Sequence, residues 1–244
     1  LMDRLGVGED DVIENRFVSR AIEQAQSKIE GNNFDIRKYV LEYDDVMNRH
    51  RTAIYSLRKE ALEAGEIQKR ISNYVHEQID KITQFNILPE TGQYNTEEIA
   101  ENIKALIPME GDLHTKLSEI AKPALSSSNG SQEPNKIPEF LHGLVDEAYA
   151  TREKQVGAEA MRHLEKMVLL RVIDELWVDH LEQMEYLRDS VRLRAYGQRD
   201  PLVEYKIEGQ KMFNQLQDAI GAQVACMIFK VGFVNQPNAV AIEE

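Results

Sequence analysis

Apolar side chains return every three or four positions along most of this 244-residue chain. That is the repeat of a helix face, not the alternation of a strand. The longest such stretch is Phe17–Ala64, which holds no proline and one glycine, Gly31. Its apolar positions include Ile22, Ile29, Ile36, Tyr43, Val46, Ile54, Leu57 and Ala61. Asn15 or Ser19 caps its start and Gly65 stops it. At 1.5 Å per residue this is a rod of roughly 70 Å, longer than a small domain is wide, so it is expected to touch several bodies. Gly31-Asn32-Asn33 is its weak point, where a kink or break would fall.

A second helical pattern runs from Glu66 to Gln84, and then the texture changes. Five of the seven prolines lie between Pro89 and Pro138, and residues 126–131 are a loop by composition. Short helices fit at about Thr96–Leu106 and Gly111–Lys122. From Glu139 the helical signal returns and holds to about Val191, with Gly157 as a point of division. A turn around Gly197 follows, and Pro201 suits the first position of a last helix to about Phe229. The two long helices predict an antiparallel hairpin. The fold class expected is all-α: a long helix plus a two-helix finger, with a small helical unit inserted between them. No strand pattern persists and no internal repeat is seen.

Charge and composition narrow the function classes. Lys and Arg number 29 against 42 Asp and Glu, a formal net charge of −13. Phosphate backbones reward clustered cations, so a general nucleic-acid binder is excluded. The hairpin tip runs against this average. Arg188, Arg192, Arg194 and Arg199 outnumber Asp189 and Asp200 there, and a basic, tyrosine-bearing tip on an acidic body reads as a contact site. One cysteine, Cys226, excludes an internal disulfide framework and any multi-cysteine zinc site. No signal peptide and no membrane-spanning run is read. The opening Leu1-Met2-Asp3 lacks an initiator methionine, and the chain reads as part of a longer one.

Catalytic chemistry is sought and not found. The GxxxxGK[ST] loop, GxGxxG and HExxH are absent. The six histidines are scattered; His76 and Asp80, four apart, could share a metal, and a plain helix-surface pair is the commoner reading. Glu42, Asp44 and Asp45 cluster on the rod, where carboxylates without a pocket serve as a solvated face or a protein contact. Trp177 falls on an apolar stripe and reads as core. Tyr196, in a glycine-containing loop with little core to join, reads equally as an exposed or locally packed ring and as an amphipathic contact to a mobile chain or partner.

Three stretches resemble one family: Asn33-Phe34-Asp35-Ile36-Arg37-Lys38 with Leu41 to Val46; Val156-Gly157-Ala158-Glu159 with Met161-Arg162-His163; and Leu176-Trp177 through Leu193-Arg194, Tyr196, Gln198, Asp200-Pro201 and Glu204-Tyr205-Lys206. They are similar to the C-terminal third of SecA, the ATPase that drives preproteins through the bacterial Sec channel. The resemblance is weakest from Glu66 to Pro138. It implies the end of a motor domain and linker over 1–16, the long helix of a helical scaffold over 17–65, a helical wing over 66–156, the rest of the scaffold with its finger over 157–235 (loop about 192–200), and a tail over 236–244.

The resemblance also implies roles. The fingertip residues Arg194, Ala195, Tyr196, Gly197, Gln198 and Arg199 would meet preprotein and channel, and the family's fingertip also restrains ATP hydrolysis. Arg37, Tyr43, Asp44, Asp45 and Trp177 would serve contacts between domains. No catalytic residue, metal or cofactor is expected in this segment, since ATP and magnesium belong to the parent's motor domains. The implied partners are the remaining SecA domains, the Sec channel and preprotein, with a homodimer of the parent, at the inner face of the bacterial plasma membrane. Alternatives from other classes are a stand-alone helical adaptor and a self-associating coiled-coil protein.

Overall fold

The computed structural model describes residues 16–63, 67–88, 93–109, 111–121, 136–194 and 200–231. Among these are seven helices and no strand: α1 (Arg16–Glu63), α2 (Ile67–Phe85), α3 (Thr96–Leu106), α4 (Leu113–Ala121), α5 (Lys136–Val156), α6 (Ala158–Arg194) and α7 (Pro201–Ile228). The all-α expectation holds. The one extended contact is an isolated antiparallel bridge between Ile87 and Tyr94.

α1 carries through Gly31-Asn32-Asn33 as uninterrupted helix over 48 residues. One glycine costs a helix only about 1 kcal/mol, too little to break so long a segment. Local chemistry sets the other ends. Asn95 caps α3 by accepting from the Glu98 amide at 3.3 Å. Asp112 accepts from the Thr115 amide at 3.3 Å, so α4 starts two residues later than the apolar pattern alone suggests. Asp200 accepts from the Leu202 amide at 2.9 Å, with Pro201 as the first helical residue of α7. α5 starts at Lys136, ahead of Pro138. Proline is tolerated there because first-turn amides have no intrahelical partner.

α6 and α7 run antiparallel, as the hairpin reading requires. Going down one helix and up the other, Met184 lies against Gly209, and the His180 and Phe213 ring centroids are 5.9 Å apart. The lower half of α1 runs antiparallel to α6 in turn: His50 meets His180, Arg58 pairs with Asp174, and Lys166 donates to the Leu62 carbonyl at 2.8 Å. α2 packs along α7, with Tyr74 over Gly221 and Lys81 paired to Asp218 at 2.7 Å.

Two apolar cores hold this arrangement. The larger joins α2 to α7 with the lower end of α1, through residues such as Ile71, Ile79, Leu141, Leu169 and Val224. The smaller gathers Tyr43 and Val46 of α1, Met184, Leu187 and Val191 of α6, and Leu202 and Tyr205 of α7. Met47 packs against both.

Candidate functional site

The candidate site is the rod and the finger base it meets. No residue of α1 between 16 and 41 is buried, although the stretch carries large apolar groups. Phe34 and Leu41 are each 66% exposed. Such exposure is unusual for side chains whose burial is worth about 1.5–3 kcal/mol each. Phe34, Arg37, Lys38, Leu41 and Glu42 line an open groove of about 860 Å³, closed at one side by Lys206 of α7. Apolar and cationic groups share this groove with carboxylates, the mixture of a protein-contact surface rather than of a catalytic pocket.

The expected inter-domain residues divide in two. Arg37, Asp44 and Asp45 are exposed on the rod, and Asp45 pairs with Arg49 at 2.7 Å. Glu42 is half-buried, and it lines the same groove as Asp44 and Asp45. Tyr43 is only 6% exposed. Its hydroxyl is 2.8 Å from that of Tyr39 and its ring centroid is 4.7 Å from that of Tyr205. Trp177 is 9% exposed beside His180, at 5.6 Å between centroids. These two rings are buried among the described residues.

The fingertip residues Ala195, Tyr196, Gly197, Gln198 and Arg199 lie outside the described residues. Arg194 is the last residue of α6. Below the tip, α6 and α7 are held by Val191, Leu202 and Tyr205, and burial raises the Tyr205 phenol above its ordinary value.

Sequence reasoning missed two polar clusters. The first is the pair His50 and His180, both 3% exposed, with Nδ1 of His50 and Nε2 of His180 3.2 Å apart. His50 stacks on Phe213 at 4.3 Å, with the planes 9° apart. Burial lowers the His50 imidazole, and burial followed by the repulsion of His50 lowers His180 to about 4. The signal was present: His50 falls on the Tyr43, Val46, Ile54 stripe and His180 on that of Trp177 and Met184.

The second cluster lies where α5 turns into α6 at Gly157, whose φ is +93°. The Tyr149 hydroxyl donates to Glu165, and Arg162 meets Glu153 at 2.6 Å and Glu165 at 3.0 Å. Burial raises the fully buried Glu165 carboxyl, opposed by the Tyr149 hydrogen bond and by Arg162. Arg152 donates at 2.6 Å to the Phe229 carbonyl and also to that of Val231, tying α5 to the end of α7.

Asp80 pairs with His142 at 3.0 Å rather than with His76. His76 pairs with Asp146 at 2.9 Å and stacks on His142 at 4.5 Å, and among the described residues no three His, Cys, Asp or Glu side chains are grouped to hold a metal ion. Cys226 is half-buried with Lys230 Nζ 3.2 Å from its sulfur. No helix among the described residues is long and apolar enough to cross a membrane.

Comparison with known proteins agrees with the resemblance. The family described as SecA Wing and Scaffold domain matches residues 12–232. The Protein translocase subunit SecA of Carboxydothermus hydrogenoformans is 40% identical over 243 residues, covering 98% of this chain and 26% of its own length. Those of Syntrophomonas wolfei and Desulfotalea psychrophila are 38% and 34% identical, with 98% and 100% of this chain and 28% of each relative covered. This chain thus spans about a quarter of the length of the curated relatives it matches. With the matched span reaching from the rod to the end of the finger helix, the chain belongs to the SecA wing and scaffold family.

Proposed function

We propose that this chain is the non-catalytic scaffold and wing segment of a preprotein-translocating motor, which carries displacement from ATP-driven domains to a finger at the Sec channel. The observation that supports this most is the smaller core. Tyr43 and Val46 of the rod interlock there with Met184, Leu187 and Val191 of α6 and with Leu202 and Tyr205 of α7. Packed interiors transmit displacement because they deform little. A push on the rod therefore reaches the finger base through close-packed side chains.

In this reading the exposed face around Phe34, Arg37 and Leu41 docks on the remaining domains, and Asp44 and Asp45 offer charge to the same neighbours. Residues 66–156 act as the wing and 157–235 as scaffold and finger. The fingertip, Arg194 to Arg199, meets the moving chain. Tyr196 suits an unspecific grip, since its ring meets apolar side chains and its hydroxyl meets main-chain carbonyls, while the arginines reach carboxylates. ATP and magnesium are held elsewhere in the parent, which works at the inner face of the plasma membrane on the Sec channel.

The test replaces the matching segment of the Carboxydothermus hydrogenoformans protein with this chain. ATP-driven preprotein import into inverted membrane vesicles is then measured with and without Tyr196→Ala. The expected result is import by the exchange protein and a loss of at least tenfold with Tyr196→Ala. Unimpaired import by the variant would remove the gripping role, and a folded but inactive exchange protein would remove the segment assignment.

A further inference from the structure

The buried part of the seam between the rod and the finger helix is polar at one point, while Arg58–Asp174 and Lys166 to the Leu62 carbonyl bridge its exposed edge. α1 presents Val46, Met47 and Ile54 to it; α6 presents Trp177 and Met184; α7 closes it with Phe213 and Leu216. His50 and His180 sit in the middle. The nearest charged residues in sequence, Arg49 and Arg51 of α1, Asp179 of α6 and Lys211 of α7, are all exposed. Among the described residues no carboxylate or cation bonds to either ring.

A seam of apolar side chains specifies register weakly, because apolar groups recur at each turn. Sliding α1 by one turn, about 5.4 Å, would place Val46 or Ile54 opposite His180. Apolar contact would survive that slip. The imidazoles would not, since each would keep a buried ring nitrogen with no partner. An orphaned buried polar group costs about 1–3 kcal/mol, and two are orphaned at once. The exposed Arg58–Asp174 pair adds only about 0–1 kcal/mol, so the buried polar pair separates the registers more strongly, as a single buried polar residue does in coiled coils.

We infer that the His50–His180 hydrogen bond sets the register of the long helix α1 against the finger helix α6. The two are positioning residues: one ring donates an N–H, the other accepts it, and Phe213 fixes the plane of His50. This holds whether or not the chain moves preproteins, because it concerns the helix pair alone.

The test measures the distance between spin labels on the 244-residue chain carrying Cys226→Ser, Asn33→Cys and Glu175→Cys. Both label sites are exposed, and the line between them runs along the seam. The unaltered pair should give one distance. So should His50→Gln, which can still donate or accept. The double variant His50→Leu/His180→Leu keeps apolar bulk and loses the polar pairing. It should remain helical and show a second distance displaced by about one turn, ~5 Å. A single unshifted distance in the double variant would overturn the inference, as would loss of its helical circular dichroism. A split distance in His50→Gln would overturn it too.

Discussion

A histidine buried among aromatic rings behaves unlike one on a surface, and His180 shows the consequence for stability. In the unfolded chain it titrates near the ordinary 6.5, whereas in the fold burial and His50 hold it at about 4. The folded state thus binds fewer protons than the unfolded state between those values. The sign follows: this group's contribution is full above about pH 6.5, shrinks as pH falls toward 4, and changes little below that. Each pKa unit is worth 1.36 kcal/mol, so the loss amounts to ~3 kcal/mol. Other groups titrate in the same window, notably the 42 acidic residues, so the measurement must be a difference. Urea unfolding of the wild type and of His50→Leu/His180→Leu at pH 7.5 and 4.5 isolates it. The stability gap between the two proteins should move by a few kcal/mol in favour of the double variant at the lower pH. A gap independent of pH would mean that the pair is not the acid-sensitive element.

Helices were legible because each depends on a local repeat and on caps within a few residues of it. The boundaries of α3 and the Asp200-Pro201 start of α7 stand where the residues place them. Packing was less legible, because it depends on which faces meet, and sequence spacing along one helix says nothing of the partner's phase. That is why His50 and His180 read as scattered histidines. Tyr43 and Trp177, by contrast, fall on apolar stripes and are buried as those stripes imply. Two glycines of α7 show how the partner decides. A Cβ on Gly209 would stand 2.9 Å from Met184 Cε, the free end of a flexible side chain, while one on Gly221 would stand 3.1 Å from the Tyr74 ring. Alanine gains about 1 kcal/mol of helix propensity over glycine. At Gly209 Met184 can turn aside, so Gly209→Ala should change stability by less than about 1 kcal/mol. At Gly221 a rigid ring in the α2–α7 contact must move, and overpacking typically costs 1–3 kcal/mol. Gly221→Ala should therefore lower the urea midpoint more than Gly209→Ala. The reverse order would show that the Met184 contact is the stiffer of the two.

At the scale of the whole molecule the rod poses the main question, because the stretch from 16 to 41 is helical with no buried residue. Propensity and periodicity made it legible as helix, and its length suggested contacts with several bodies. Which bodies is not written in these 244 residues, since about three-quarters of the length of the curated relatives lies outside the span they share with this chain. The physical distinction is between a face that stabilises this chain and a face that stabilises a contact. If Phe34 and Leu41 belong to the fold, replacing them should unfold it. If they belong to a contact, the chain should not notice. At 66% exposure each, they fall in the class of surface substitutions that usually stay within ±0.5 kcal/mol. Phe34→Asp and Leu41→Asp should accordingly leave the urea midpoint of the 244-residue chain nearly unchanged. If the proposed docking holds, the same changes in the full-length exchange protein would bury a carboxylate in that contact. That penalty is several kcal/mol for an unpaired charge, so preprotein import should fall by more than tenfold with the isolated segment still stable. Equal losses of segment stability and import would instead place Phe34 and Leu41 in the core of this chain. Unchanged import would leave the rod's apolar face without the docking role proposed for it.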